Sequence, residues 1–220
     1  MLAALGLGRS YGARSRVLLR GLPGILQSGL WRQLESLPPS PTRALVTDVG
    51  NDILYGSSPE QILEWVEESV ARLQQRGAEV VITDLPLASV RGLSRARFLF
   101  FRSLLYPPCR LTREQALDRA ERVVDGLERL AERRKLRLFR LRPEWYGLDP
   151  VHFRPGTWSG AWQQVLEGGD AALEPNGRGS AKDALRLYLM RPEREWLAGR
   201  ERVVPQNGLR VARGARVWLY

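Results

Sequence analysis

Residues Ala44-Leu45-Val46-Thr47-Asp48-Val49 form a short apolar run that ends at Gly50-Asn51-Asp52. A helical pattern begins after Ser58-Pro59, where the serine suits the N-cap and the proline suits the first helical position, and it ends at Gly77. A second apolar run, residues 79–84, follows directly. This strand–helix–strand spacing predicts a βαβ unit, and therefore a parallel sheet with a right-handed crossover.

Similar patterns extend along the chain in both directions. Apolar runs typical of buried strands occupy residues 2–7, 17–19 and 136–141, and helical patterns occupy residues 25–37, 112–135 and 156–166. The longest helix starts with a capping box formed by Thr112 and Gln115. These elements predict an α/β protein with a mostly five-stranded parallel sheet.

The character of the sequence changes after Leu166. Residues 168–182 are loop-like, residues 183–196 suit a helix, and residues 209–220 suit a basic β-hairpin around Arg213-Gly214. The sequence therefore predicts one α/β domain over residues 1–166 and a C-terminal extension over residues 167–220.

Composition excludes several classes of protein. The single cysteine, Cys109, rules out an intrachain disulfide, and one cysteine with one histidine argues against a zinc site. No apolar run has the length of a membrane span, and the apolar N-terminus lacks the basic region of a signal peptide. We expect a cytoplasmic protein with no membrane span.

The net charge of +10 comes almost entirely from arginine, since Lys135 and Lys182 are the only lysines among 34 basic residues. A basic balance can indicate nucleic acid or another anionic surface. Here the arginines are scattered among acidic residues along helices, so we do not expect nucleic acid as a partner. Residues 186–216 are the one segment where a basic face is plausible.

The chain has one histidine, His152, and Asp149 precedes it by three positions in a turn marked by Gly147 and Pro150. An imidazole can take up and return a proton near neutral pH, and a carboxylate can orient it. Far upstream, a predicted strand runs into a glycine-flanked serine, Ser10, which suits a nucleophile. The alternative interpretation is structural, with an ordinary loop histidine and a serine that caps a turn.

Four pieces stand in a fixed order at the ends of predicted strands, namely Ser10, Gly24, Gly50-Asn51-Asp52 and Asp149-Pro150-Val151-His152. This order resembles the SGNH hydrolases, also called GDSL-type esterases and lipases, over residues 1 to about 166. Two blocks depart from the family pattern. The first reads Gly8-Arg9-Ser10 instead of Gly-Asp-Ser, and the third lacks the residue between Gly50 and Asn51. Gly21 is a rival of Gly24 for the second block.

The resemblance implies a flavodoxin-like three-layer sandwich and an esterase that needs no cofactor and no metal. Ser10 would attack an acyl carbonyl, His152 would act as the base, and Asp149 would hold the imidazole. The backbone N–H groups of Ser10 and Gly24 and the side-chain amide of Asn51 would form the oxyanion hole. The structural alternative for Asn51 is helix entry, because its side chain can satisfy backbone donors.

The connection at residues 87–111 is rich in aromatic residues and leaves the carboxyl end of a predicted strand, where ligands bind in open parallel sheets. We therefore predict that Phe98 and Phe101 contact a small acyl-ester substrate, with Arg9 beside the nucleophile. Core packing of a short helix is the alternative. Two other functions remain open, namely an acyltransferase or carbohydrate deacetylase, and a non-catalytic binding protein with the same fold. The sequence does not indicate the oligomeric state.

Overall fold

The computed structural model describes residues 1–147, 153–167, 181–211 and 214–220. The chain divides into two compact units. One, which we call the terminal unit, consists of Met1–Pro39 together with Asn176–Tyr220, and the other, the central unit, is Ser40–Pro175. These bounds differ from the predicted domains, 1–166 and 167–220, because the first 39 residues cluster with the C-terminal segment.

The central unit contains a parallel three-stranded sheet in the order β4–β5–β6, with β4 at Thr42–Val46, β5 at Ala78–Thr83 and β6 at Arg137–Phe139. Thr42 to Val46 pair with Ala78 to Ile82, and Val81 to Thr83 pair with Arg137 to Phe139. The predicted parallel pairing of residues 44–49 with residues 79–84 is therefore confirmed. The carboxyl ends of all three strands lie at one edge of this sheet.

The helices described in the central unit are α2 (Asn51–Leu54), α3 (Pro59–Gln75), α4 (Leu87–Arg91), α5 (Arg95–Leu105), α6 (Arg113–Arg134) and α7 (Trp158–Glu167). Their starts follow local capping signals. The Ser58 hydroxyl accepts a hydrogen bond from the Gln61 N–H at 3.2 Å, and Thr112 and Gln115 form a reciprocal capping box. These bonds confirm both predicted caps. The sequence could predict them because each cap joins residues only three positions apart.

Both faces of β5 are buried. Val81 packs in one cluster with Trp145 and with Ala161 and Val165 of α7. Neighbouring strand residues point to opposite faces, so the fully buried Ile82 faces the other side of the sheet. The sheet is therefore covered on both faces, which is typical of parallel sheets.

Replacing Ile62 of α3 with alanine is expected to destabilise the protein by about 2–5 kcal/mol. Ile62 is fully buried, and removing its side chain costs both transfer free energy and a cavity. Urea unfolding followed by circular dichroism measures the loss. Leu104→Ala on the exposed side of α5 is the control, and an equal loss in both variants would contradict the placement of Ile62 in the core.

The terminal unit contains an antiparallel sheet in the order β2–β3–β7–β8, made of Ser15–Val17, Arg20–Leu22, Arg194–Leu197 and Arg200–Val203. A second sheet has the order β1–β10–β9, made of Leu2–Ala3, Arg216–Leu219 and Leu209–Arg210. The helices α1 (Leu30–Ser36) and α8 (Ala181–Tyr188) complete the unit. β9 and β10 pair antiparallel, as the predicted C-terminal hairpin requires.

The five-stranded parallel sheet predicted from the sequence is not found in the described residues, which contain a parallel sheet of three strands. The predicted first strand pairs with β10, and the second lies in the β2–β3 hairpin. Only Leu18 and Leu19 separate the two strands of that hairpin. A parallel crossover needs a dozen or more residues, so this spacing permits only antiparallel pairing.

Over the ranges that the structure describes, no helix combines the length and the hydropathy needed to cross a lipid bilayer.

Candidate functional site

Ser10 lies in a turn of the terminal unit and is fully buried. Its Oγ accepts a hydrogen bond from the Ala13 N–H at 2.8 Å, and its carbonyl oxygen accepts one from the Ile25 N–H at 3.0 Å. The second bond brings Ser10 close to Ile25, the residue that follows Gly24. The first is the capping contact of the structural alternative, so the serine oxygen is held in place by the backbone.

Gly24 precedes a single 3-10 turn at Ile25–Gln27 and has an ordinary φ of −56°. A Cβ at this position would lie 2.9 Å from the Ala13 carbonyl oxygen and would also overlap the Gln27 side chain. Glycine is therefore required here by close packing against the turn that carries Ser10. Gly21, the rival position, lies within β3 and pairs with Arg16 and Trp196.

Arg9 is buried, with 3% of its surface exposed. Its Nη1 donates to the carbonyl oxygens of Leu5 and Tyr220, so the guanidinium joins the N-terminal turn to the last residue of the chain. Burial lowers the pKa of Arg9 to about 10, and the neighbouring charge of Arg20 acts in the same direction. These contacts give Arg9 a packing role within the terminal unit.

Asn51 begins α2, and residues 47–50 connect it to the carboxyl end of β4. The phenolic O–H of Tyr106 donates to the Asn51 Oδ1 at 3.1 Å, which fixes the orientation of the amide. The turn before it contains Asp48 at a φ of 57°, a left-handed conformation that is uncommon for a residue other than glycine. Strained backbone of this kind clusters at functional sites, so this turn is the strongest candidate in the central unit.

Tyr106 follows α5 and is buried, with its ring in edge contact with that of Tyr55 at 5.1 Å between centroids. Burial raises the pKa of Tyr106, and the nearby Tyr55, Asp52 and Asp48 raise it further. The phenol therefore remains protonated at neutral pH and acts as a hydrogen-bond donor to Asn51.

The carboxyl end of β5 adds a second polar group, Asp84. Its Oδ1 accepts a hydrogen bond from the Leu141 N–H at 2.7 Å. Burial raises the pKa of Asp84 to about 6, against the lowering effect of the Leu141 bond and of Arg140. Burial also raises the pKa of Tyr146, and the charges of Asp48 and Asp84 raise it further. Asp48 and Asp84 therefore both act electrostatically on Tyr146 at this sheet edge.

The sequence predicted no role for Asp48, Asp84 or Tyr146, and it placed Tyr106 in the aromatic connection without a hydrogen-bond partner. A signal was present for the two aspartates, because each follows a strand of the parallel sheet by one or two residues. No local signal pointed to Tyr106, whose partner is 55 positions away.

Asp149 and His152, the predicted acid–base pair, lie outside the described residues. The residues that flank them are described. Tyr146 and Phe153 form an antiparallel bridge with ring centroids 5.2 Å apart, and the Arg154 N–H donates to the Trp145 carbonyl oxygen at 2.7 Å.

The two predicted substrate contacts on α5 differ in their burial. Phe98 is buried, with 7% of its surface exposed, whereas Phe101 is half-buried. Phe98 therefore packs in the interior, as the core-packing alternative has it. Phe100 is the exposed aromatic residue of this helix, with 62% of its surface exposed, and its ring touches that of Phe101.

The Asp84→Asn variant is expected to gain stability over the native protein at pH 7 but not at pH 4. The folded-state pKa, about 6, lies above the ordinary value of 3.8. Between these values the folded state keeps a proton that the unfolded chain has released, so the stability linked to the neutral carboxyl is present below about pH 4 and is lost by about pH 6. Asparagine keeps the oxygen that accepts from Leu141 and carries no charge.

Urea midpoints measured between pH 4 and pH 7 test this pH dependence. The exposed Asp118 of α6 provides the matched control, since Asp118→Asn makes the same chemical change. The same pH profile in both variants would contradict a special environment for Asp84.

Within residues 1–147, 153–167, 181–211 and 214–220, no group of three histidine, cysteine or acidic side chains is placed to hold a metal ion. Comparison with models of protein families gives no match for this chain. Comparison with curated protein sequences likewise gives no match.

Proposed function

We propose that the protein is a serine hydrolase that cleaves a small acyl ester by an SGNH-type mechanism. Ser10 serves as the nucleophile, His152 as the general base and Asp149 as the residue that orients the imidazole. The Ser10 and Gly24 N–H groups and the Asn51 amide face the oxyanion. The observation that carries the proposal is the position of Asn51 at the carboxyl edge of the parallel sheet, with its amide oriented by Tyr106.

The orientation of the Asn51 side-chain amide matters because the reaction develops a negative charge. Attack on an ester carbonyl places a full negative charge on one oxygen, and donors that are already oriented stabilise that charge without reorganisation. The Asn51 Oδ1 accepts from Tyr106, so the Nδ2 donors are directed away from the phenol. In the proposed mechanism these Nδ2 donors serve the oxyanion.

The proton transfers follow the usual order of acyl transfer. His152 takes the Ser10 hydroxyl proton as the new C–O bond forms, and it returns this proton to the leaving alcohol as the ester bond breaks. A water molecule then attacks the acyl-enzyme by the same route and releases the carboxylic acid and the free serine. Asp149 stabilises the imidazolium in both stages.

Three features of the fold support this proposal. The β4–α3–β5 connection gives the parallel arrangement in which ligands bind at the carboxyl ends of strands. The coverage of β5 on both faces suits a flavodoxin-like three-layer sandwich. The contact between the turn of Ser10 and the residue after Gly24 brings the backbone of the first two blocks together.

The full burial of Ser10 favours a second candidate, a binding protein that has the same fold but no catalytic serine. A buried nucleophile reacts only if the groups around it move aside for the substrate. Arg9, which stands where the family has aspartate, is also engaged in packing. The two candidates differ in one chemical property, the reactivity of the Ser10 hydroxyl.

Covalent labelling tests that property directly. The protein is treated with a fluorophosphonate, and the modified peptide is located by mass spectrometry while hydrolysis of p-nitrophenyl acetate and butyrate is followed. Label on Ser10 with loss of hydrolysis supports the hydrolase. An unlabelled Ser10 together with no turnover would favour the binding protein. In the presence of an added alcohol, an acyltransferase forms a new ester, whereas a hydrolase releases the free acid.

A further inference from the structure

The charge of the protein is divided unequally between its two units. The terminal unit has fifteen arginine and lysine residues against five aspartate and glutamate residues, which gives it a net charge of +10. The central unit has nineteen of each sign and is neutral. The whole positive charge of the chain therefore belongs to the terminal unit, which is the electrostatic footprint of a protein that binds a polyanion.

One face of the β2–β3–β7–β8 sheet carries planar and basic side chains. Arg16, Gly21, Trp196 and Glu201 lie opposite one another across the four strands, so they share a face. Arg14, two positions before Arg16, lies on the same face and holds its guanidinium 3.8 Å from the centre of the Trp196 ring. We call this side of the sheet the Trp196 face.

A cleft of about 410 Å³ opens on the Trp196 face. Its lining consists of Arg14, Arg16, Leu19, Gly21, Trp196, Ala198 and Gly199. The volume is within the range of sites that hold a molecule of nucleotide size. Gly21 has no side chain between Arg16 and Trp196, and the Arg14 side chain lies in that space, with its Nε 3.5 Å from where a Cβ of residue 21 would be.

The acidic side chains of this sheet do not offset the arginines of the cleft. Glu201 is on the Trp196 face but pairs with Arg194 at 3.2 Å. Glu195 is on the opposite face, where it is buried and pairs with Arg20 at 2.8 Å. A ligand in the cleft therefore meets two cationic side chains, one of which is a guanidinium plane supported by an aromatic ring.

We propose that the Trp196 face binds single-stranded nucleic acid, with a base stacked on the outer side of the Arg14 guanidinium, which itself lies on the Trp196 ring, and with the phosphates on the surrounding arginines. Bases stack on aromatic rings and on guanidinium planes, and an open strand exposes them for that contact. A duplex hides its base faces, and a polyanion without rings gains nothing from Trp196. The combination of charge with planar groups therefore selects a strand with unpaired bases.

Fluorescence anisotropy with labelled strands of about 20 nucleotides tests the proposal. Oligo-dT and oligo-U form the two arms that distinguish DNA from RNA, and a duplex of equal length, heparin and anionic vesicles are the competitors. We expect a single strand to bind more tightly than the duplex. Equal binding of heparin or vesicles would overturn the proposal, as would the absence of any binding to single strands.

The sheet offers a matched pair of charge variants. Arg14→Gln with Arg16→Gln removes two charges from the Trp196 face, and Arg200→Gln with Arg202→Gln removes two from the exposed part of the opposite face. The first pair is expected to lower affinity and to reduce the slope of log affinity against log salt by about 1.4, whereas the second pair changes both far less. Equal effects of the two pairs would show attraction to net charge alone and would overturn the proposal.

Stacking has its own variant, Trp196→Leu, which keeps an apolar side chain on β7 but removes the ring. We expect a loss of affinity of about tenfold or more. Unchanged affinity in a folded Trp196→Leu protein would overturn the proposal. If this variant fails to fold by circular dichroism, the two arginine pairs, whose side chains are exposed, decide the outcome.

Discussion

Replacing Ser10 with alanine is expected to reduce ester hydrolysis on the order of 10⁴-fold or more. The substitution removes the atom that forms the acyl-enzyme, and the rate that remains comes from the oxyanion donors and from substrate binding. Steady-state kcat/KM for p-nitrophenyl butyrate measures the loss. Undiminished turnover in the alanine variant would exclude Ser10 as the nucleophile.

The same substitution also removes a hydrogen bond, because the Ser10 Oγ accepts from the Ala13 N–H at 2.8 Å. Losing such a hydrogen bond costs about 1 kcal/mol of stability. Ser15→Ala provides a matched control, since Ser15 is also buried in the terminal unit and its hydroxyl donates to the Leu22 carbonyl oxygen at 3.4 Å. We expect Ser15→Ala to lose similar stability and to keep its turnover. A parallel loss of turnover in both variants would point to disruption of the fold.

The features of the fold that depend on near neighbours could be predicted from the sequence. The caps at Ser58 and Thr112 join groups three positions apart, and the β4–α3–β5 unit has a spacing that few other structures satisfy. Strand pairing over long distances could not be predicted in the same way. The first apolar run of the chain pairs with β10, more than 200 positions away, and no local pattern encodes that choice.

The same limit applies to the candidate site. Asn51 could be singled out because it stands near the end of a predicted strand, but its bond with Tyr106 depends on how α5 packs. Arg9 was predicted to bind substrate beside the nucleophile, whereas the fold buries it against the last residue of the chain. The arginines looked evenly scattered because the terminal unit is assembled from both ends of the sequence, and only the fold reveals that it holds the net charge.

The Asn51→Ala variant is expected to lower kcat about 100-fold to 1,000-fold, which corresponds to about 2.7–4 kcal/mol of transition-state stabilisation. KM changes little, because the amide meets its full partner only when the oxyanion has formed. Steady-state kinetics separate the two constants. A variant in which KM rises and kcat is kept would assign Asn51 to substrate binding instead.

Asn51→Asp separates catalysis from structure at the same position. Aspartate keeps an oxygen that can accept from the Tyr106 phenol and serves helix entry as well as asparagine does, so stability is expected to be nearly unchanged. It has no N–H donor and places a negative charge where the oxyanion develops, so turnover is expected to fall at least as far as in Asn51→Ala. An aspartate variant that is both stable and active would show that Asn51 only supports the turn. A Tyr106→Phe variant with a smaller loss in kcat alone would show in addition that the phenol acts through the orientation of the amide.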